Sequence, residues 1–280
     1  MHPCSDKARQ LFEILPRTAE SGFLWQEVSS RLHDRLSVMN VAVDRFIDVG
    51  CSQGRDLVWL RKQFPQSVAV GVDGAFSPVK QASRENQDPA TVFLCGNAET
   101  MMFLPETFNL VWSNMMLHWA EDIGAVLSCW HQMLRQNGLL LFSCLGYGSL
   151  HNLYHAFDGL DGYGHIMTFP DCQQLGEAMV QSGFSSPVLE REWIDLTYQE
   201  TDTLLHDIRA LGGNPLANRR QGLMGKETFA QLIQNLEALR DEAGQITLRF
   251  EIIFGHAFKE NLPKKKPDAG REMPIVFFQG

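Results

Sequence analysis

The chain has 280 residues, of which 44% are hydrophobic, so it can bury one substantial core and we predict a single domain over residues 1–280. Its formal net charge of −9 argues against a nucleic-acid partner, because phosphate backbones attract concentrated Lys and Arg. We recognise neither a membrane span nor a secretory signal and therefore predict a cytoplasmic protein without a membrane partner. The six cysteines form no CxxC pair or metal-ligand pattern, and we assign no metal.

Residues 45–145 alternate short β-rich runs with helical patterns, which is typical of a parallel sheet covered by helices on both faces. Five strands are predicted, at Arg45–Val49, Val68–Val72, Thr91–Leu94, Phe108–Trp112 and Gly138–Cys144. Three helices are predicted between them, at Gly54–Phe64, Ser77–Glu85 and Ile123–Leu134. Asn137-Gly138 is interpreted as the stop signal of the last of these helices. With two later strands, we expect an α/β fold with a doubly wound, mostly parallel, seven-stranded sheet.

The flanking segments carry the remaining elements. Residues 1–44 contain two predicted helices, Ser5–Leu15 and Gly22–Leu36, which can fold over a ligand site as a lid. Residues 146–258 are expected to form a substrate-side cap and the last strands of the sheet. Their predicted elements are the helices Asp171–Gln181, Glu200–Leu211 and Lys226–Asp241 and the strands Pro187–Thr197 and Ile246–His256. Residues 259–280, rich in Lys and Pro, are interpreted as an exposed tail.

The first motif lies at the junction of the first strand and the next helix, in the sequence FIDVGCSQG. It contains an acidic residue and small residues at alternate positions, namely Asp48, Gly50, Ser52 and Gly54. Glycines permit a tight turn and a close approach of the backbone to a ligand, while helix N-terminal N–H groups offer donors. Any α/β protein needs a tight turn here, so the motif alone does not prove a ligand site.

The second feature is Asp73, which ends the second strand nineteen residues after Gly54. An acidic side chain at this position can accept hydrogen bonds from the ribose hydroxyls of an adenosine ligand. Dehydrogenases that bind NAD share this geometry, so the two features do not separate a dehydrogenase from other enzymes that bind an adenosine ligand. The GxGxxG spacing that cradles phosphates is absent, however, because the glycines here follow the pattern GxSxG.

Two further motifs follow the third and fourth strands. Asn97 and Ala98 lie in a loop positioned to meet an adenine ring, and an ordinary polar turn is the alternative interpretation. The sequence FNLVWSNMMLHW places Asn114 at the end of an apolar strand, before methionine and aromatic residues. Sulfur and aromatic side chains suit a sulfonium ligand and an apolar acyl chain, but such residues can also simply pack the core.

These motifs resemble class I S-adenosylmethionine (SAM)-dependent methyltransferases. The resemblance is greatest to the malonyl-[acyl carrier protein] O-methyltransferases of bacterial biotin synthesis, and it extends to LLHDIRALGGNPLANRRQGLMGK and ITLRFEIIFGHAFK. It implies SAM as cofactor and malonyl-loaded acyl carrier protein as substrate partner, with methylation of the free malonyl carboxylate ahead of pimeloyl assembly. The resemblance and the residues say nothing of the oligomeric state.

The resemblance also implies roles for individual residues. The methionine part of SAM would lie against Asp48, Gly50 and Gly54, the ribose against Asp73, the adenine against Asn97 and Ala98, and the sulfonium above Asn114. Family members usually carry glycine at the position of Ser52 and aspartate at that of Asn97. A serine fits without strain only if its φ is not positive, and a misfit costs about 1 kcal/mol. A neutral asparagine is a weaker acceptor for the adenine amino group than a carboxylate.

A carboxylate is already nucleophilic at neutral pH, so we expect no general base. Something must hold the acceptor carboxylate, and an arginine fork is suited to this role. The candidates are Arg209, Arg219, Arg220 and, as an orienting group, His118. Ordinary surface arginines and a structural histidine are the alternatives. Two other functions also remain open: a different SAM-dependent enzyme of this fold, such as a small-molecule carboxyl methyltransferase or an arginine hydroxylase, and a catalytically silent binding protein.

Overall fold

A computed structural model describes residues 5–14, 22–100 and 103–260. Its centre is a seven-stranded sheet. The strands are β1 (Arg45–Val49), β2 (Val68–Asp73), β3 (Thr91–Cys95), β4 (Phe108–Ser113), β5 (Leu134–Leu145), β6 (Ser185–Tyr198) and β7 (Ile246–Phe258). They lie in the order β3-β2-β1-β4-β5-β7-β6. The pairs among β1 to β5 are parallel, and β7 runs antiparallel to both β5 and β6. The expected doubly wound, mostly parallel sheet is confirmed.

Alternating side chains of the central strands divide the core into two layers. In β4, Leu110 and Trp112 pack in one buried cluster and Val111 in the other, as the two-residue period of a strand requires. The helices are α1 (Ser5–Ile14), α2 (Phe23–Ser37), α3 (Arg55–Gln63), α4 (Phe76–Glu85), α5 (Ile123–Met133), α6 (His151–Phe157), α7 (Cys172–Gln181), α8 (Thr201–Ala210) and α9 (Lys226–Glu237). The first cluster includes residues of α2 and α3, and the second includes residues of α5 and α7.

Most predicted elements agree with the structure to within a few residues, including the end of α5, but the stop signal assigned to that helix is wrong. Asn137-Gly138 does not stop this helix, because α5 ends at Met133 and the chain continues directly into β5. Asn137 has a φ of +61° and lies where the register between β4 and β5 shifts. Its N–H donates to the carbonyl of Lys259, which follows β7. The Asn-Gly pair is therefore an irregularity within a strand.

Two other expectations need correction. The segment between β5 and α7 was given no element, yet it contains the short helix α6. The tail was predicted to start at Lys259, but Lys259 is buried and its Nζ donates to the carbonyl of Leu134 at 2.8 Å. The rest of that prediction concerns residues 261–280, which lie outside the described residues.

Helix α1 contacts both the start of α4 and the segment that follows α8. The carboxylate of Glu13 accepts hydrogen bonds from the backbone N–H groups of Phe76 and Ser77, at the start of α4. Near the other end of α1, the Nζ of Lys7 donates to the carbonyl of Ala217 at 3.0 Å. Helix α1 thus lies across the carboxyl-end face, where the predicted site residues gather. No helix within the described ranges is long and apolar enough to cross a membrane.

Candidate active site

The turn after β1 needs glycine for two physical reasons. Gly50 has a φ of +83°, and a Cβ added there would lie 2.5 Å from side-chain atoms of Met116. Its N–H donates to the carbonyl of Val72, which holds the turn against β2. Gly54, with a φ of +74°, precedes α3 and points away from the cleft towards Phe93. Both positions favour glycine because L side chains are strained at positive φ.

Ser52 occupies a position of this turn where the backbone conformation favours glycine. Its φ of +47° lies in the left-handed region, so the condition under which a serine fits without strain is not met. Its hydroxyl oxygen is buried and has no hydrogen-bond partner among the described residues. Its backbone N–H, however, donates to Oδ2 of Asp73 at 2.9 Å. The turn therefore keeps its hydrogen bond to Asp73 despite the unfavourable side chain.

Asp73 ends β2 with its carboxylate held by the backbone. Oδ2 accepts from the N–H of Ser52 and Oδ1 from the N–H of Ala75, each at 2.9 Å. A carboxylate has about four acceptor positions, so two hydrogen bonds fix its orientation and leave others for a ligand. Asp73 lines a cleft, and its remaining acceptor positions are available to a ligand that binds there.

Two further carboxylates lie nearby in different environments. The carboxyl group of Asp48 is buried and has no hydrogen bond to any described residue, and burial, with the charges of Asp56 and Asp73, raises its pKa well above the ordinary value. Burial also tends to raise the pKa of Asp56, but hydrogen bonds from His33 and Ser29 outweigh it and lower that pKa. The cleft thus contains several carboxyl groups, of which Asp56 stays ionised, and a cationic ligand would favour the ionised form of Asp48 as well.

The two asparagines predicted at the site are both oriented by neighbours. Oδ1 of Asn97 accepts the N–H of Glu99 at 2.8 Å, which closes a tight turn after β3. Oδ1 of Asn114 accepts from the hydroxyl of Ser143 at 2.7 Å, and its Nδ2 donates to the carbonyl of Trp25 at 3.3 Å. Asn114 therefore links the end of β4 to both β5 and α2.

These residues line one cleft with two adjoining compartments, which we call the cofactor cleft. Trp25, Gly50 and Asn114 are common to both compartments. One compartment adds Asp73, Asn97 and Ala98, and the other adds Asp48 and Ser52. Of the predicted cofactor residues, Gly54 alone does not line this cleft. Sequence reasoning missed Arg9, Phe12 and Trp25, which α1 and α2 contribute and which no motif marks.

A second, largely apolar space adjoins the cofactor cleft, and we call it the apolar cavity. It shares Trp25, Met115 and Trp119 with the cofactor cleft, so the two spaces meet at these side chains. Its empty volume, including the open mouth, is about 1100 Å³. The rest of the wall is mainly aliphatic and aromatic, with Leu150, Phe157, Met167, Phe169, Leu205, Ile208, Met224, Leu232 and Phe250 among its residues. The polar side chains on it include His118, His165 and Arg209.

Two of the four predicted acceptor-side residues lie on the cavity wall. His118 is buried, and its Nδ1 accepts the N–H of Leu145 at 3.2 Å, which places the ring proton on Nε2. Burial lowers the pKa of His118 to about 3, so the ring is neutral at physiological pH. Arg209 is exposed in the last turn of α8 and forms no ion pair with a described residue.

The other two arginines lie outside the lining of the cavity. Nη1 of Arg219 donates to the carbonyl of Asn214 at 3.1 Å. Nη1 of Arg220 lies 3.5 Å from Oδ2 of Asp161, and its guanidinium lies over the ring of Tyr163. The structure therefore separates Arg209 from the two arginines with which sequence reasoning grouped it.

Comparisons with known proteins agree with this architecture. Residues 47–142 match the methyltransferase domain family. The YcgJ protein of Bacillus subtilis superposes with a TM-score of 0.59 at 16% identity, over 83% of this chain and 98% of that one. A phosphoethanolamine N-methyltransferase 2 of Haemonchus contortus, solved with S-adenosyl-L-methionine, gives a TM-score of 0.52 at 17% identity, over 83% of this chain and 52% of that one. The fold and the glycine-aspartate turn define a class I SAM-dependent methyltransferase.

The particular family follows from sequence. The chain is 33% identical to a malonyl-[acyl-carrier protein] O-methyltransferase of Laribacter hongkongensis, over 89% of this chain and 88% of that protein. It therefore belongs to the malonyl-[acyl-carrier protein] O-methyltransferase family.

Proposed function

We propose that this protein transfers the methyl group of SAM to the free carboxylate of malonyl-acyl carrier protein, in the cytoplasm and in the service of biotin synthesis. The observation that carries the proposal is the meeting of two unlike spaces. A carboxyl-rich cleft suited to a cationic nucleoside adjoins an apolar cavity with hydrogen-bond donors on its wall. The family relatives carry the same activity in their names, which supports this choice of acceptor.

The cofactor cleft fits SAM in charge and shape. The ribose would bind at the free acceptor positions of Asp73, and the adenine beside Asn97 and Ala98. The methionine part would lie near Asp48 and Gly50, where the close packing of Gly50 against Met116 leaves no space for a Cβ. When bound, SAM supplies an electrophilic methyl carbon: the acceptor oxygen bonds to it, the carbon–sulfur bond breaks with its electron pair left on sulfur, and no proton moves.

The residues of the apolar cavity would hold and desolvate the acceptor. Arg209 can form charge-assisted hydrogen bonds to the malonyl carboxylate, and the neutral His118 can donate from Nε2. His118 does not act as a base in this scheme, because its Nδ1 lone pair already accepts the N–H of Leu145. The apolar wall limits the water that would otherwise solvate the nucleophile. Catalysis then consists mainly of alignment and desolvation.

Intact-protein mass spectrometry tests the proposal directly. Malonyl-acyl carrier protein and acetyl-acyl carrier protein are each incubated with the enzyme and SAM, the acetyl form being the control that lacks a free carboxylate. We expect one added methyl group on the malonyl form alone. No gain from a folded enzyme that binds SAM would point to another acceptor, and no gain without SAM binding would point to a catalytically silent protein.

A further inference from the structure

A run of positive charge borders the apolar cavity, and we call it the basic segment (residues 209–226). It contains Arg209, Arg219, Arg220 and Lys226 but no Asp or Glu, in a chain whose net charge is −9. An uninterrupted set of four cations is therefore unusual for this molecule. Charge concentrated in one place steers association with a partner of opposite sign even when the whole protein is acidic.

The basic segment forms part of the wall of the apolar cavity, and it reaches solvent at Arg209, which both lines the cavity and is exposed. Part of it contributes directly to the lining, through Arg209, Leu211, Gly213, Asn214 and Met224. The Nδ2 of Asn214 donates to the carbonyl of Gly164 at 2.7 Å, which fixes the segment against the chain that follows α6. Lys7 of α1 adds a further cation beside it, through its hydrogen bond to the carbonyl of Ala217. A partner that binds here would face the opening of the cavity.

The cations of the basic segment differ in whether an opposite charge already pairs with them. Arg220 is engaged by Asp161 at 3.5 Å. Arg219 and Lys226, in contrast, form no ion pair with any residue in the described ranges. An apolar side chain stands among them, because Leu223 is 95% exposed. A protein that binds Arg219 and Lys226 would therefore also cover this apolar side chain.

We propose that the basic segment is the surface on which the acyl carrier protein docks, with Arg219 and Lys226 contacting its acidic side chains. This inference rests on the proposed function. Acyl carrier proteins are strongly acidic, so their charge is complementary to the basic segment. Docking there would place the carrier beside the mouth of the apolar cavity, through which its acyl arm would reach the cofactor cleft.

Charge reversal at two positions outside the cavity wall tests the docking surface. The double variant Arg219→Glu/Lys226→Glu is compared with the native enzyme on malonyl-acyl carrier protein and on malonyl-pantetheine, whose only charge is the malonyl carboxylate. We expect kcat/KM for the carrier-bound substrate to fall about tenfold, mainly through KM, because each reversal replaces attraction with repulsion. For malonyl-pantetheine we expect less than about a twofold change.

The matched control is Lys62→Glu/Arg84→Glu, which makes the same change in net charge on exposed positions of α3 and α4. We expect it to leave both substrates unaffected. Equal losses with both substrates, or no loss with either, would overturn the docking proposal. Binding of the unloaded carrier, followed by fluorescence anisotropy, needs no methyl transfer. If the native protein binds the carrier and the double variant does not, docking stands even where the proposed methylation fails.

Discussion

The cofactor cleft is formed largely by loops that follow strands of the parallel sheet, whereas much of the apolar cavity is formed by helices and the basic segment. The first space contains several carboxyl groups, and the second has an apolar wall bordered by the basic segment. They meet at Trp25, Met115 and Trp119. The molecule thus places carboxyl groups beside one space and cations beside the other, and the two spaces adjoin.

The cofactor cleft and the apolar cavity depend on the sequence in different ways. The cofactor cleft depends on local backbone demands, such as the positive φ of Gly50, and these leave a pattern in the sequence. The apolar cavity depends on which distant elements assemble around it, which leaves no such pattern. Substitutions in the cofactor cleft should therefore change cofactor binding, and substitutions in the apolar cavity should change use of the acceptor.

The largest effect is expected from Asp73→Ala in the cofactor cleft. Loss of two charge-assisted hydrogen bonds to ribose, at about 1.5 kcal/mol each, should weaken binding of S-adenosylhomocysteine about a hundredfold. Isothermal titration calorimetry measures this change. Because Asp73 also fixes the N–H groups of Ser52 and Ala75, Asp73→Asn serves as the control that retains one acceptor. Unchanged affinity in a folded Asp73→Ala variant would contradict the ribose assignment.

A smaller and separate effect is expected from Arg209→Ala in the apolar cavity. Without the guanidinium, kcat/KM for malonyl-pantetheine should fall about 30-fold, equivalent to about 2 kcal/mol, because the carboxylate loses a charge-assisted partner. Affinity for S-adenosylhomocysteine should not change. Arg209→Lys should recover part of the activity, since it keeps the charge but not the fork. A parallel loss of cofactor affinity would show that the two spaces are not independent.

The contrast between local backbone requirements and the assembly of distant elements also explains which parts of the structure could be predicted. The starts of β1 to β4 were predicted to the residue, since these strands read as short β-rich runs bounded by turn residues. The start of β5 was missed because Asn137-Gly138 has the composition of a helix stop, although tertiary pairing with β4 and with the residue after β7 makes it part of a strand. Helix α6 was missed because seven residues carry too little periodicity.

The site shows the same contrast. Every predicted cofactor residue except Gly54 lines the cleft, because spacing after strand ends translates directly into position at one edge of the sheet. Among the arginines, sequence alone could not separate Arg209 from Arg219 and Arg220, because their relation to the cavity depends on how the segment after α8 folds back. The contribution of Trp25 likewise depends on the docking of α2 over the sheet.

The smallest effect is expected at Ser52, the position of the cofactor cleft where a serine stands in place of the usual glycine. Ser52→Gly should stabilise the ligand-free protein by about 1 kcal/mol. It relieves the strain of a φ of +47° and removes a buried hydroxyl without a partner, while the added freedom of the unfolded chain offsets part of the gain. Urea unfolding measures the difference.

Ser52→Ala separates the two sources of that gain, because it removes the hydroxyl and keeps the strain. We expect its stability to lie between those of the native protein and Ser52→Gly. Affinity for S-adenosylhomocysteine should change less than about threefold in Ser52→Gly, since the backbone N–H that holds Asp73 remains and a contribution below about 0.7 kcal/mol is at stake. A large loss of affinity in both variants would instead show that the hydroxyl itself binds the cofactor, and that the departure from glycine is part of recognition.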